Sequence, residues 1–279
     1  WKEFRKGKRK KRDVLIFERN LEDNLFRLHL DLVNKTYQHG NYTSFYITDP
    51  KLRLIHKACV RDRVLHHAIY RILYPIFDKS FIFDSYSCRL KKGTHKAVGR
   101  LKFFSRKVSK NYSGKCFVLK CDIRKFFANI DHEVLFLLLK NKICDENLLR
   151  LLQEIINSFN TNSRKSFWLS AKGIPIGNLT SQLFANIYMN EFDQFVKHHL
   201  QLKFYIRYTD DFVIVGNDQK KLNNFIFEID NFIQNKLKLG LHPKKVNICP
   251  LNWGVDFLGY IVLPHYQVLR TKTKKRMLE

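Results

Sequence analysis

The run Lys203-FYIRYTDDFVIV-Gly216 places two adjacent carboxylates, Asp210 and Asp211, in the middle of an otherwise β-branched and aromatic stretch. Aspartate disfavours strands, and a buried carboxylate costs several kcal/mol unless something pairs with it. With apolar residues on both sides, the run reads as a β-hairpin carrying the acids at its tight turn. Positive charge, most simply a metal ion, then offsets the repulsion between them. A fold that includes this hairpin needs a core large enough to hold it, and 279 residues with 24 phenylalanines supply one.

Charge narrows the partner. The chain carries 51 Lys+Arg against 25 Asp+Glu, a formal net charge of +26, which predicts a polyanion. A membrane surface also attracts such a chain, but no apolar run of about 18 residues is present, so membrane insertion is not expected. Six cysteines show no Cys-x-x-Cys pair. Neither a zinc site nor a disulfide framework is expected, and a reducing cytoplasm fits. Cys116 and Cys121 read as small core residues.

The first twelve residues, WKEFRKGKRKKR, hold eight Lys/Arg. A solvated arm and a nucleic-acid contact both remain open for them. Asn20 is expected to cap a helix through about Gln38, ended by Gly40. A short strand follows over 42–48 with a turn at Asp49-Pro50, then a helix over Asp62 to Leu73. Residues 86–107 interleave basic and aromatic side chains, a surface suited to nucleic acid, and an amphipathic helix from Thr94 satisfies the same pattern. Residues 116–122 read as a buried strand ending in Asp122. Asp131 and Asp145 are expected to cap helices, and a long helix runs from about Thr180 to Leu200. The next helix, from Asp218, has Leu222, Phe225, Ile226, Ile229, Phe232, Ile233 and Leu237 on one face. Strands over 255–263 and 266–270 close the chain. This order predicts an α+β fold, an antiparallel sheet with helices packed on one face.

Asp122 at the end of one strand and Asp210 with Asp211 at the turn of a neighbouring hairpin is the arrangement that two-metal phosphoryl or nucleotidyl transfer needs. Mg²⁺ prefers oxygen ligands and retains several waters, so few carboxylates suffice.

At this point the chain resembles a reverse transcriptase, with motifs in that family's order over roughly residues 50–265. Residues 61–64 (RDRV) and 85–98 (SYSCRLKKGTHKAV) resemble the fingers blocks. Residues 122–127 (DIRKFF) and 208–211 (YTDD) resemble the two catalytic motifs. Pro243-Lys244-Lys245 and Phe257-Leu258-Gly259-Tyr260 resemble later palm blocks, the last the primer grip. The resemblance implies a right-hand polymerase with fingers and palm and a thumb that is minimal or truncated. Expected boundaries are a basic arm and helix over 1–48, fingers over 49–115, a palm over 116–265 with a fingers-like insertion at about 141–175, and the start of a thumb or a tail over 266–279.

The resemblance also implies roles. Asp122, Asp210 and Asp211 bind two Mg²⁺ ions, with Mn²⁺ a substitute and the carbonyl of Ile123 an extra ligand. Lys245 neutralises or protonates the leaving pyrophosphate, with Lys244 a competitor for that role. Phe127 falls at the steric gate that clashes with a ribose 2′-OH; a core role is its alternative. Arg53 and Lys51 fall where the triphosphate binds, and Ile176, Gly177 and Gln182 line the nucleotide and template. Implied partners are template RNA, a DNA or RNA primer, dNTPs and a possible small basic accessory protein.

One departure points to a subfamily. Many reverse transcriptases carry Pro-Gln-Gly followed by Ser-Pro, where this chain has Pro175-Ile176-Gly177 and Ser181-Gln182. That pattern resembles the enzymes of diversity-generating retroelements, whose cDNA is mutated mainly at template adenines. Isoleucine cannot make the hydrogen bonds of a glutamine amide, so discrimination against wrong pairs is expected to fall. Group II intron-like, retron-like and defence-associated enzymes are the alternatives, as is a non-catalytic RNA-binding relative.

Overall fold

The computed structural model describes residues 1–49, 51–161 and 171–278. Pro50 of the expected 49–50 turn, and residues 162–170 of the expected insertion, lie outside them. The chain divides into two compact units, each built from two segments: 1–79 with 127–188, and 80–126 with 189–279.

In the first unit, the basic N-terminus is folded and not a solvated arm. Helices Lys2–Arg5 and Arg12–Arg19 bury Phe4 and Val14, and Trp1 stacks on Phe17. Aromatic burial outweighs charge repulsion there, with Arg5 paired to Glu18. The next helix runs from Leu21 to Val33, shorter than expected, and the Asn20 side chain makes no cap bond. Gly40 does not end it; its amide donates to Asp62 instead. Helix Val60–Asp78 buries Val60, Val64, Leu65, Ile69, Leu73 and Phe77, mostly four residues apart, as one apolar stripe. Strands Thr43–Ile47 and Arg53–Lys57 pair antiparallel. Asp131 and Asp145 cap helices His132–Lys140 and Glu146–Asn157 through backbone amides, as their positions predict.

The second unit is organised by a four-stranded antiparallel sheet in the spatial order Tyr205–Tyr208, Asp211–Gly216, Phe117–Asp122, Asn247–Pro250. Alternation along the strands sends Val118, Ile206, Val213 and Val215 to one face, where Ala97, Val98, Leu101 and Phe104 of helix Thr94–Val108 cover them. The other face sends Tyr205 and Phe212 against Phe192. Helix Gln219–Leu237 lies against the sheet as well, burying Leu222, Ile229, Ile233 and Leu237. Helices therefore occupy both faces where one was expected, because the strands are apolar on both sides. The long helix ends at Gln194 and continues as a π-turn, Phe195–His199. A three-stranded sheet, Val255–Phe257, Tyr260–Val262 and Gln267–Leu269, completes the unit.

Candidate active site

The hairpin closes with Tyr208 opposite Asp211, leaving Thr209 and Asp210 as a two-residue turn. Thr209 sits at φ +57°, a left-handed conformation that a β-branched residue adopts only under constraint. The constraint is visible. Its hydroxyl bonds the Ser87 hydroxyl at 2.5 Å, and its carbonyl accepts from Arg207 Nη1 at 3.1 Å. Arg207 is fully buried and gripped by Asp193 through Nε to Oδ1 (2.8 Å) and Nη2 to Oδ2 (2.7 Å). Tyr205 donates to the same carboxylate at 2.7 Å, and Arg207 Nη2 reaches Ser85 Oγ at 3.1 Å. Burial works against the guanidinium charge, but Asp193 outweighs it and the pKa is raised. This bidentate pair fixes the floor under the turn.

Above that floor the register sets Asp122 opposite Asp211, and the Ile123 amide donates to the Asp210 carbonyl at 3.2 Å. Burial pushes the Asp210 carboxyl up, and the charges of Asp211 and Asp122 push it further, to about 6. Asp211 is raised too, first by burial and then by Asp122, with Lys120 opposing. Lys120 itself donates to the carbonyl of Asp256 at 2.6 Å. Lys245 Nζ lies 2.7 Å from Asp122 Oδ2, and the backbone supports the contact: His242 N donates to the Asp122 carbonyl at 2.8 Å and Lys245 N to His242 O at 2.9 Å. Lys245 and not Lys244 therefore meets the carboxylates.

Among the described residues no three His, Cys, Asp or Glu side chains are already arranged as a metal cage. The donor chemistry still fits a divalent cation of the magnesium type. The oxygens are hard, two of the three acids carry more repulsion than the local cations offset, and Mg²⁺ takes only one or two carboxylates beside water and phosphate.

Phe257 pairs with Tyr260 across a second two-residue turn, with Leu258 at φ +51° and Gly259 at φ +87°. Two left-handed residues make a type I′ turn, which suits the twist of a hairpin. Arg270 N ties the turn through the Gly259 carbonyl at 3.0 Å, and Tyr260 OH bonds His95 Nδ1 at 3.2 Å. Phe257 is core, whereas Leu258 and Tyr260 are half-buried.

The first unit holds the remaining expected residues. Arg53 opens the second hairpin strand and Lys51 lies two residues before it, both exposed. Phe126 takes the core position at 1% exposure and Phe127 is left half-buried. The Ile176 carbonyl accepts from His56 N at 3.0 Å. Gly177 has φ +122°, and a Cβ there would come within 2.9 Å of Ile55 Cγ2. A close approach within the chain is therefore enough to require glycine here. Gln182 is exposed on the following helix.

Sequence reading missed Arg207, Asp193 and Ser87. Arg207 left a signal: it is a charged residue at an inward-facing register position between Ile206 and Tyr208.

These features define a right-hand polymerase fold of fingers and palm. Comparison with known proteins agrees. Residues 33–262 match the family described as reverse transcriptase (RNA-dependent DNA polymerase). The chain belongs to that family. It is 26% identical to protein YkfC of Escherichia coli over 264 residues, covering 82% of this chain and 68% of that one. It is 24% identical to the group II intron-encoded protein LtrA of Lactococcus lactis over 324 residues, covering 91% of this chain and 51% of LtrA. Among solved structures, apo telomerase from Candida tropicalis, truncated from its C-terminal domain, superposes with a TM-score of 0.61 at 12% identity, over 88% of this chain and 59% of that one. No helix among the described residues is long and apolar enough to cross a membrane.

Proposed function

We propose that this chain synthesises DNA on an RNA template by two-metal nucleotidyl transfer. The observation that carries the reading is the strand register that sets Asp122 opposite Asp211, with Asp210 raised to about 6 at the adjoining turn. Bound Mg²⁺ would lower the pKa of a primer 3′-hydroxyl and neutralise charge on the leaving pyrophosphate. Asp122, Asp210 and Asp211 would hold it, with the Ile123 carbonyl as a further oxygen. Arg207 and Asp193 keep the acids in place. Lys245, already on Asp122, would turn toward the pyrophosphate, and Arg53 and Lys51 would bind the triphosphate. Phe127, half-buried while Phe126 fills the core, is available as the gate against a ribose 2′-OH. The 257–260 hairpin would hold the primer end. Fingers over 49–115 and palm over 116–265 remain the domain reading, and the cytoplasm the location.

Primer extension on an RNA template tests this reading. Extension should need Mg²⁺ or Mn²⁺, cease with EDTA, and use dNTPs over rNTPs. Phe127→Ala should erode the sugar preference at least tenfold. Incorporation that ignores the template, or that survives EDTA, overturns it.

Ile176 supports a finer reading, error-prone cDNA synthesis of the diversity-generating kind, with a small basic accessory protein as a partner. The similarity to LtrA favours a group II intron-like enzyme instead. Misincorporation opposite template adenine separates them: Ile176→Gln should lower it several-fold, and equal error in both proteins removes the diversity-generating reading.

A further inference from the structure

The outer face of helix Thr94–Val108 carries a ladder of alternating cations and rings. Between Ser85 and Cys121 the sequence has eleven Lys/Arg and no Asp or Glu. The helix spends its apolar residues on the sheet, burying Ala97, Val98, Leu101 and Phe104. Phe103 nevertheless points outward at 46% exposure, and Phe83, in the segment that leads to the helix, is 66% exposed. Arg100 links the two rings, with Cζ 5.2 Å from each centroid. Asp84 fixes it there through Nε to Oδ1 at 2.8 Å. Lys92 Nζ lies 3.4 Å from the Phe83 centroid, and Lys107 Nζ 5.7 Å from that of Phe103. Arg100, Phe103 and Lys107 recur at three- and four-residue spacing, so the ladder follows one helical face. At its end a cavity of about 370 Å³ opens, with Lys107, Lys110 and Lys221 on its lining and Phe204 and Phe225 among its apolar residues.

We propose that this face binds single-stranded RNA at a site separate from the carboxylates. Flat rings held among cations, with Asp84 neutralised by Arg100 and no acid between residues 85 and 121, match a chain of stackable bases joined by phosphates. A duplex hides its base faces and could use only the cations. A membrane needs a continuous apolar stripe, whereas here the two exposed rings are interrupted by charges and the apolar stripe of the helix is buried. The inference does not depend on catalysis.

The test uses the full chain with its template site saturated by an unlabelled primer–template hairpin and no dNTP. A fluorescent uridine 12-mer is then titrated by anisotropy. We expect one further RNA bound per protein, and Phe83→Ala/Phe103→Ala should weaken it at least tenfold with its salt dependence unchanged. Lys92→Gln/Lys107→Gln/Lys110→Gln should flatten the logarithmic salt slope by about 2. Circular dichroism checks that each variant is folded, and cross-linking of 5-iodouridine RNA should map to peptides holding Phe83 or Phe103. The proposal is overturned if no further RNA binds, if the phenylalanine pair is silent, or if a blunt 12-base-pair RNA duplex binds equally well. Tighter binding to phosphatidylserine vesicles through the same residues overturns it as well.

Discussion

Two carboxylates in this chain, one fully buried and one half-buried, behave in opposite ways. Asp62, in the first unit, is fully buried, yet its carboxyl lies below the usual range. Burial alone would raise it. Tyr37 OH (3.0 Å), Gly40 N (2.9 Å), Cys59 Sγ (3.1 Å) and Arg61 Nε (3.1 Å) all donate to it, and His39 lies 3.7 Å away. Asp210, in the second unit, has acidic neighbours instead of this shell, and its carboxyl is raised to about 6. Asp62 is a completed junction that ties the 37–42 segment to the first turn of helix Val60–Asp78. Asp210 is incomplete by the same measure, which is what a ligand for an exchangeable cation requires.

The largest effects should follow that division. Asp210→Asn removes a proposed metal ligand and one uncompensated charge together. We expect RNA-templated extension to fall at least about a thousandfold, roughly 4 kcal/mol in the barrier, while the melting temperature holds or rises. Asp62→Asn should do the reverse, costing about 3 kcal/mol of stability because buried donors lose their acceptor, with activity per folded molecule retained. Calorimetry beside single-turnover extension reads both. A stable Asp62→Asn protein, or an Asp210→Asn protein that unfolds, breaks the comparison.

His66 sharpens it next. Its ring packs on His39 with centroids 5.3 Å apart, and neither ring nitrogen has a hydrogen-bond partner among the described residues. Burial pushes its pKa down to about 3, and the neighbouring His39 and His67 charges act the same way against Asp62. The folded state therefore binds this proton less readily than the unfolded chain. Its stability is complete above pH 6.5 and declines as pH falls from there toward 3. Between pH 6.5 and 5 the loss is about 2 kcal/mol. Denaturant unfolding at those two pH values should show it in the wild type and not in His66→Leu.

Local chemistry explains what was legible. The hairpin, its acids, the strand ending at Asp122 and the caps at Asp131 and Asp145 were all readable, because each is written in consecutive residues. Asp62 and Arg207 were not, since their partners lie as far away as Tyr37 and Ser85 in the chain. The N-terminus was illegible for a related reason: eight cations in twelve residues masked Phe4, whose buried ring packs on Trp1 and on His67 of helix Val60–Asp78. The role of Gly177 was hidden in the same way by Ile55, which only the folded hairpin brings near.

The smallest effect concerns the turn itself. Thr209 in a left-handed conformation costs roughly 1–2 kcal/mol, and its bond to Ser87 returns about 1 kcal/mol. Thr209→Gly relieves the first and loses the second, so stability should change by less than about 1 kcal/mol. Extension should still drop several-fold, because the turn that aims Asp210 is no longer tied to residue 87. Ser87→Ala keeps the conformational cost and removes only the tether. If the tether positions the acids, it should reproduce the drop in kcat with little change in KM for dNTP. A Thr209→Gly enzyme slowed beside an unaffected Ser87→Ala enzyme would assign the effect to the shape of the backbone alone.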